Sequence, residues 1–388
     1  MVGPPRLPVR SESAEGGSVG WLELLQDLVV VAAVLVLFEG LVSGADGLWW
    51  GWYAAALVAV YLLWLADVVV VNGFPGTSLA RQIVSMIWMA GLVTAATGAL
   101  WQNWQPEWVL CLGVAIVLAS TATTYILTAV AQPHPVPVLW RAGTFLAAGA
   151  VIAAIAAISS TEVAQVLLPA SIIVGVLIAP VFLARSLLDM DSLRAGHLSE
   201  RFGQLVLIML GESFLEIVIG VRQGEDFRPS LAIFAALVVF LLWRAYFLLL
   251  LPSGPPRTRG RLAVWIIAHG VLVVGFGFAA ASAGRWATSD DMGFDTYGWA
   301  STGVAAISVG VAYLGIAAVA ATVGGTRILV VYVVGALTLL ATWLILGATG
   351  MEDPWSALPL AAVMIIVNLV ATRRMMPARN REDVSPAP

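Results

Sequence analysis

Twelve apolar runs, each near the length that crosses a bilayer, dominate this chain and leave it few folds to choose from. A hydrocarbon core takes about 20 residues of helix per crossing. Lipid offers the backbone no hydrogen-bond partners, so each run must satisfy its own N–H and C=O groups as an α-helix. The runs lie near residues 21–41, 49–71, 83–101, 108–130, 140–159 and 164–183, then 204–221, 231–251, 262–283, 299–321, 328–346 and 355–372. The fold class this predicts is all-α: a polytopic helical membrane protein of twelve transmembrane helices. Composition agrees, because 60% of the 388 residues are hydrophobic and 11% charged, where a soluble domain carries about 25% charged residues. A soluble globular enzyme is excluded.

Charge position sets the expected orientation. All 19 basic residues are Arg, and cytoplasmic loops collect such cations. With the N-terminus inside, fifteen fall in inner segments and three (Arg222, Arg228, Arg285) in outer loops, while Arg244 lies within a span. Adding or losing one central span would erase that asymmetry, so both termini are expected in the cytoplasm. The resulting plan is a cytoplasmic tail (1–18), a first six-helix half (19–183), a polar connecting loop (184–203), a second half (204–372) and a Pro-rich disordered tail (373–388).

Several partners are excluded. A net charge of −4 gives no basic field for nucleic acid. Cys111 is the single cysteine, which rules out internal disulfides and cysteine-based zinc clusters. With no phosphate-cradling glycine loop and no zincin helix, neither a metal nor another cofactor is expected. The expected partners are the bilayer itself and an unidentified small-molecule or lipid substrate.

Ionisable side chains inside spans cost about 2.5–3.5 kcal/mol each on insertion scales and mark candidate function. Glu23, Asp27 and Glu39 lie in the first span, Asp67 in the second, Glu212 and Glu216 in the seventh, Arg244 in the eighth and His269 in the ninth. At about 1.5 Å per residue, Asp27, Asp67, Glu212, Arg244 and His269 fall at one depth, about 6–12 Å from the cytoplasmic edge. The pairs Glu23/Asp27 and Glu212/Glu216 have the four-residue spacing of a shared helical face. Five carboxyls against one Arg and one His leave a surplus, so at least one carboxyl is expected to hold a proton at neutral pH. Binding or coupling is therefore expected of Glu23, Asp27, Asp67, Glu212, Glu216, Arg244 and His269, in one chamber walled by Trp64, Trp243 and Ser213. Gly211 either admits a neighbouring helix or opens the backbone.

Two segments carry a resemblance. Glu23-Leu24-Leu25-Gln26-Asp27-Leu28-Val29-Val30-Val31 is similar to the opening ELFFDLVFV pattern of the bacterial low temperature requirement A (LtrA) family, with Leu25 and Gln26 where that pattern has two Phe. His197-Leu198-Ser199-Glu200-Arg201-Phe202-Gly203 and then Leu210-Gly211-Glu212-Ser213 resemble its HxxERFG…LGES stretch. The resemblance implies that Glu23, Asp27, His197, Glu200, Arg201, Gly211 and Glu212 matter, and it places the chain in a bacterial inner membrane. It brings no mechanism. His197, Glu200 and Arg201 are expected at a gate or in the cap of the seventh helix, and Gly211 at the gate.

Two functions compete at this stage. A proton- or cation-coupled secondary transporter follows from surplus acids between two six-helix halves. An intramembrane enzyme acting on a lipid or isoprenoid would instead use Asp27, Asp67 or Glu212 as general acid.

Overall fold

The computed structural model describes residues 20–42, 47–74, 78–101, 108–178, 194–223, 229–256, 258–288, 301–349 and 357–375. They form twelve long helices and no strand. The first half holds α1 (Trp21–Val42), α2 (Gly47–Gly73), α3 (Leu79–Trp101), α4 (Trp108–Ala131), α5 (Pro137–Ala157) and α6 (Thr161–Ile172). The second holds α7 (Ala195–Gln223), α8 (Pro229–Arg244), α9 (Arg259–Thr288), α10 (Ser301–Thr322), α11 (Thr326–Thr349) and α12 (Ala357–Met375). Each carries a stretch long and apolar enough to cross a membrane, so the protein is a multi-pass membrane protein. Expectations resting on the Glu39 side chain and on residues 1–18, 184–193 and 376–388 lie outside the described residues, while 373–375, expected as disordered tail, form the last turn of α12.

Large hydrophobic side chains cover the outside as well as the interior, as lipid solvation permits: Ile87, Val151, Val218, Ile267 and Leu344 are all exposed. Burial of apolar surface therefore cannot sort inside from outside, and close packing of small residues does that work. A Cβ on Gly113 of α4 would stand 2.3 Å from the Ala95 backbone of α3, and one on Gly275 of α9 would stand 2.4 Å from that of Ala312 on α10. At these points two helix backbones touch. Hydroxyls on α4 bond mostly back into their own helix, from Ser120 to the Ile116 carbonyl and from Thr124 to that of Ser120. Thr121 also accepts from Trp88 Nε1 of α3 at 3.1 Å.

Two helices loosen before they end. A π-helical turn, Ile173–Ile178, continues α6 past Pro169, whose missing N–H leaves the Gln165 carbonyl one turn earlier without its helical donor. A second, Ala245–Leu250, follows Arg244 at the end of α8.

The largest departure from the expected spans is at α7. It begins at Ala195, nine residues before the expected start at 204. Arg194, His197, Glu200 and Arg201 lower the local hydropathy and disguise a stretch that is helical. The residues 195–203, expected as connecting loop, thus belong to the bundle. There α7 packs on α1 and α9, and α1 in turn packs on α2, α3 and α9.

Candidate functional site

The polar centre is where α1 meets α7. Glu23 and Asp27 share one face of α1, and His197 and Arg201, also four residues apart, share the facing side of α7. Two acids at helical spacing thus meet two bases at the same spacing. Arg201 Nη2 donates to Asp27 Oδ1 at 2.6 Å, and its Nη1 lies 3.1 Å from Glu23 Oε2. His197 Nε2 is 3.1 Å from the same Glu23 oxygen. Asp27 and Arg201 are both 0% exposed, so this bridge works without solvent screening.

Helix α2 completes the site from the side. Trp64 Nε1 donates to Asp27 Oδ1 at 2.7 Å, and its ring meets Phe202 of α7 edge-on at 5.0 Å. One turn on, Asp67 is buried within electrostatic reach of Arg201, Arg81 and Glu23. Near the end of α2, Asn72 clamps the start of α7: its Oδ1 accepts from the Arg194 N–H at 2.7 Å and its Nδ2 donates to the Arg194 carbonyl at 3.0 Å. The same Nδ2 lies 3.5 Å from His197 Nδ1, which points the other ring nitrogen at Glu23. Arg194 returns the contact by donating to the Asn72 carbonyl at 3.2 Å.

The site is not fully satisfied internally. Asp27 Oδ2, Arg201 Nε and Gln204 Oε1 are buried without a hydrogen-bond partner. Unmet donors and acceptors at this depth are costly, and they are the groups that a proton, a water or a polar ligand would engage.

Other expected members of the chamber lie elsewhere. With α7 starting at Ala195, Glu212 sits about 25 Å along the helix, about three turns beyond Arg201, and is half-buried. Glu216 lies one turn further, so this acid pair does not share the level of Glu23 and Asp27. Ser213 is buried and bonds back to the Met209 carbonyl. Gly211 is exposed, and a Cβ there would meet nothing within 4 Å, so no helix approaches it. Glu200 is on the exposed side of α7.

Arg244 is also away from the acids: its Nη2 donates to Thr372 of α12 at 2.7 Å. Trp243 stacks between Phe240 and Phe247 on α8. His269 is held by aromatic neighbours. Its Nδ1 faces the Trp265 carbonyl at 2.8 Å, which can only accept, and its Nε2 is 3.2 Å from the Tyr246 hydroxyl. Tyr246, Trp265 and His269 line a small recess with Ser199, Leu250 and Gly254. Phe202 separates recess from ion pair, touching Trp265 and His269 on one side and Trp64 on the other.

Sequence reasoning found Glu23, Asp27, Trp64, His197 and Arg201 but not their mutual pairing, and it missed Asn72. The matched four-residue spacings on α1 and α7 were the available signal for the pairing. Among the described residues no group of His, Cys, Asp and Glu has the arrangement of a metal site.

Among curated proteins nothing matches this chain. A family model described as bacterial low temperature requirement A protein (LtrA) matches residues 18–369, which takes in all twelve helices nearly to the end of α12. Both segments that form the ion-pair site lie within that match, and the chain belongs to the LtrA family.

Proposed function

We propose that this protein is a proton- or cation-coupled secondary transporter of a small molecule in the bacterial inner membrane, with α1 starting on the cytoplasmic side. The orientation rests on the concentration of Arg in alternate segments. The coupling site is the α1–α7 contact: Glu23, Asp27 and Arg201, with His197, Trp64 and Asp67 around them.

One observation carries this reading. The first helix of each six-helix half contributes half of a buried ion-pair site, and that site retains orphaned polar atoms at Asp27, Arg201 and Gln204. Transporters of repeated architecture hold their coupling groups between halves, so that protonation or ligand binding alters how the halves pack. A carboxyl that gains a proton loses its grip on Arg201, and a ligand cation does the same by competing for the oxygens. Either event would loosen α1 from α7.

The enzyme reading requires an acid facing an apolar recess. Tyr246 and His269 border the described recess, while Asp27 is engaged by Trp64 and Arg201. This favours transport.

The test is a sealed-vesicle experiment. Liposomes containing purified protein and a pH-sensitive dye receive an imposed pH gradient. Amino acids, organic acids, sugars and polyamines are then added in turn. The parent is expected to discharge the gradient with one class of compound, and Asp27→Asn is not. If Asp27→Asn and Glu23→Gln discharge it as fast as the parent, the proposal fails. Conversion of a polyprenyl substrate by the protein in detergent, where no vectorial transport exists, would replace it with the enzyme.

A further inference from the structure

Arg244 presents a separate problem. It lies in the second half, nine residues before the end of the α8 segment at Ser253, and is half-buried. Among the described residues its one hydrogen bond goes to a neutral group, the Thr372 hydroxyl, which itself bonds back to the Asn368 carbonyl. Of the helices near it, α9, α10, α11 and α12 contain no Asp or Glu, and α7, which also packs on α8, carries Glu200, Glu212 and Glu216, but among the described residues none of these forms an ion pair with Arg244. Among the described residues the guanidinium therefore sits in membrane-spanning structure without an ion-pair partner. An uncompensated charge in that setting is costly.

Its surroundings hold further unmet polar groups. Tyr332 of α11 is within electrostatic reach of Arg244, is fully buried, and its hydroxyl has no hydrogen-bond partner. Asn368 is 1% exposed; its Nδ2 donates to the Tyr313 hydroxyl at 3.2 Å, and its Oδ1 is unpartnered. More positive charge lies at the same end of the bundle. Arg373 and Arg374 follow Thr372 directly, and Arg327 opens the antiparallel neighbour α11; all three are exposed. Beyond them, α11 and α12 present lipid-facing Val330, Val334, Ile366 and Leu369.

We propose that the cytoplasmic ends of α8, α11 and α12 form a binding site for the phosphate of an anionic phospholipid. Arg244 is its embedded anchor, the Tyr332 hydroxyl a second donor, and Arg327, Arg373 and Arg374 the outer rim. A phosphodiester supplies the missing negative charge and accepts from both guanidinium and phenol. Its acyl chains lie along the exposed apolar faces of α11 and α12, which a free anion would leave uncovered. Basic pockets between helices at the cytoplasmic surface recognise headgroups in this way. The site is independent of the α1–α7 ion pair and of any transport reaction.

The experiment compares thermal unfolding of the full chain in nanodiscs of phosphatidylcholine alone and of phosphatidylcholine with phosphatidylglycerol. For the parent, phosphatidylglycerol is expected to raise the midpoint by about 3 °C or more. Arg244→Gln should lose most of that increment while keeping Arg327, Arg373 and Arg374. Retention of the full increment in Arg244→Gln would mean surface attraction alone and overturn the proposal. Millimolar inorganic phosphate in phosphatidylcholine nanodiscs is the second arm: an equal increment there would assign the site to a soluble anion and overturn the lipid. Should Arg244→Gln not fold, native mass spectrometry of Tyr332→Phe decides. Retained phosphatidylglycerol on the parent with markedly less on the variant supports the site, and equal retention refutes it.

Discussion

Arg201 and Asp27 are 174 residues apart in sequence and 2.6 Å apart in space, and both are fully buried. Their contact fastens the first helix to the seventh. Because the Arg201 guanidinium also reaches Glu23, it ties both acids of α1 to α7, and His197 adds a second hold on Glu23.

Removing one member of this bridge should cost more than removing both. Asp27→Asn leaves Arg201 buried with Glu23 alone and is expected to lower stability by about 3–5 kcal/mol. In the double variant Asp27→Asn with Arg201→Met, the combined loss should fall well short of the sum of the single losses. Denaturant unfolding in detergent micelles measures all three; additive losses would mean that the two side chains are not coupled.

Trp64→Phe separates the indole's hydrogen bond from its packing. The ring still meets Phe202, but Asp27 Oδ1 loses a donor, and a hydrogen bond to a charged group contributes about 1.5–3 kcal/mol. The same unfolding measurement should show a loss in that range. It should largely vanish when Asp27→Asn is already present.

Asn72→Ala unfastens the start of α7 without touching a charge. Three hydrogen bonds between Asn72 and Arg194 hold that turn, and two of them use the Asn side chain. Amide hydrogen exchange over residues 194–198 is expected to accelerate in the variant while the middle of α7 stays protected. Uniform exchange along α7 in both proteins would contradict the clamp.

Two glycine substitutions should behave oppositely. Gly113→Val places a branched side chain where even a Cβ lies 2.3 Å from the α3 backbone, so it should separate α3 from α4 and leave little folded protein. Gly211→Ala meets open space, and it gains helix propensity of about 1 kcal/mol. Monodisperse yield after detergent extraction should collapse in the first and match or exceed the parent in the second.

The number and type of helices were legible from hydropathy because lipid leaves the backbone a single solution. Depth was not. The start of α7 is written in Arg194, His197, Glu200 and Arg201, residues that read as loop until their partners are known. Moving that start by nine residues took Glu212 and Glu216 away from Glu23 and Asp27. It also brought in Arg201, which hydropathy had assigned to a loop. Arg244 had looked like the natural counter-ion because it lies in an unmistakably apolar run, yet an apolar run says nothing about which neighbour a side chain faces. Asn72 carried no signal by itself, since its role is to hold the backbone of a residue 122 positions away.

The pairing of α1 with α7 also orders events during synthesis. At about 5–20 residues per second, Asp27 leaves the ribosome about 10–35 s before Arg201 does. For that interval the opening helix has two acids in or near the bilayer and no guanidinium to receive them. A nascent chain halted after α6 should therefore hold its first helix loosely and expose it to membrane proteases. Synthesis of α7 then converts a poorly anchored opening segment into a fixed part of the bundle.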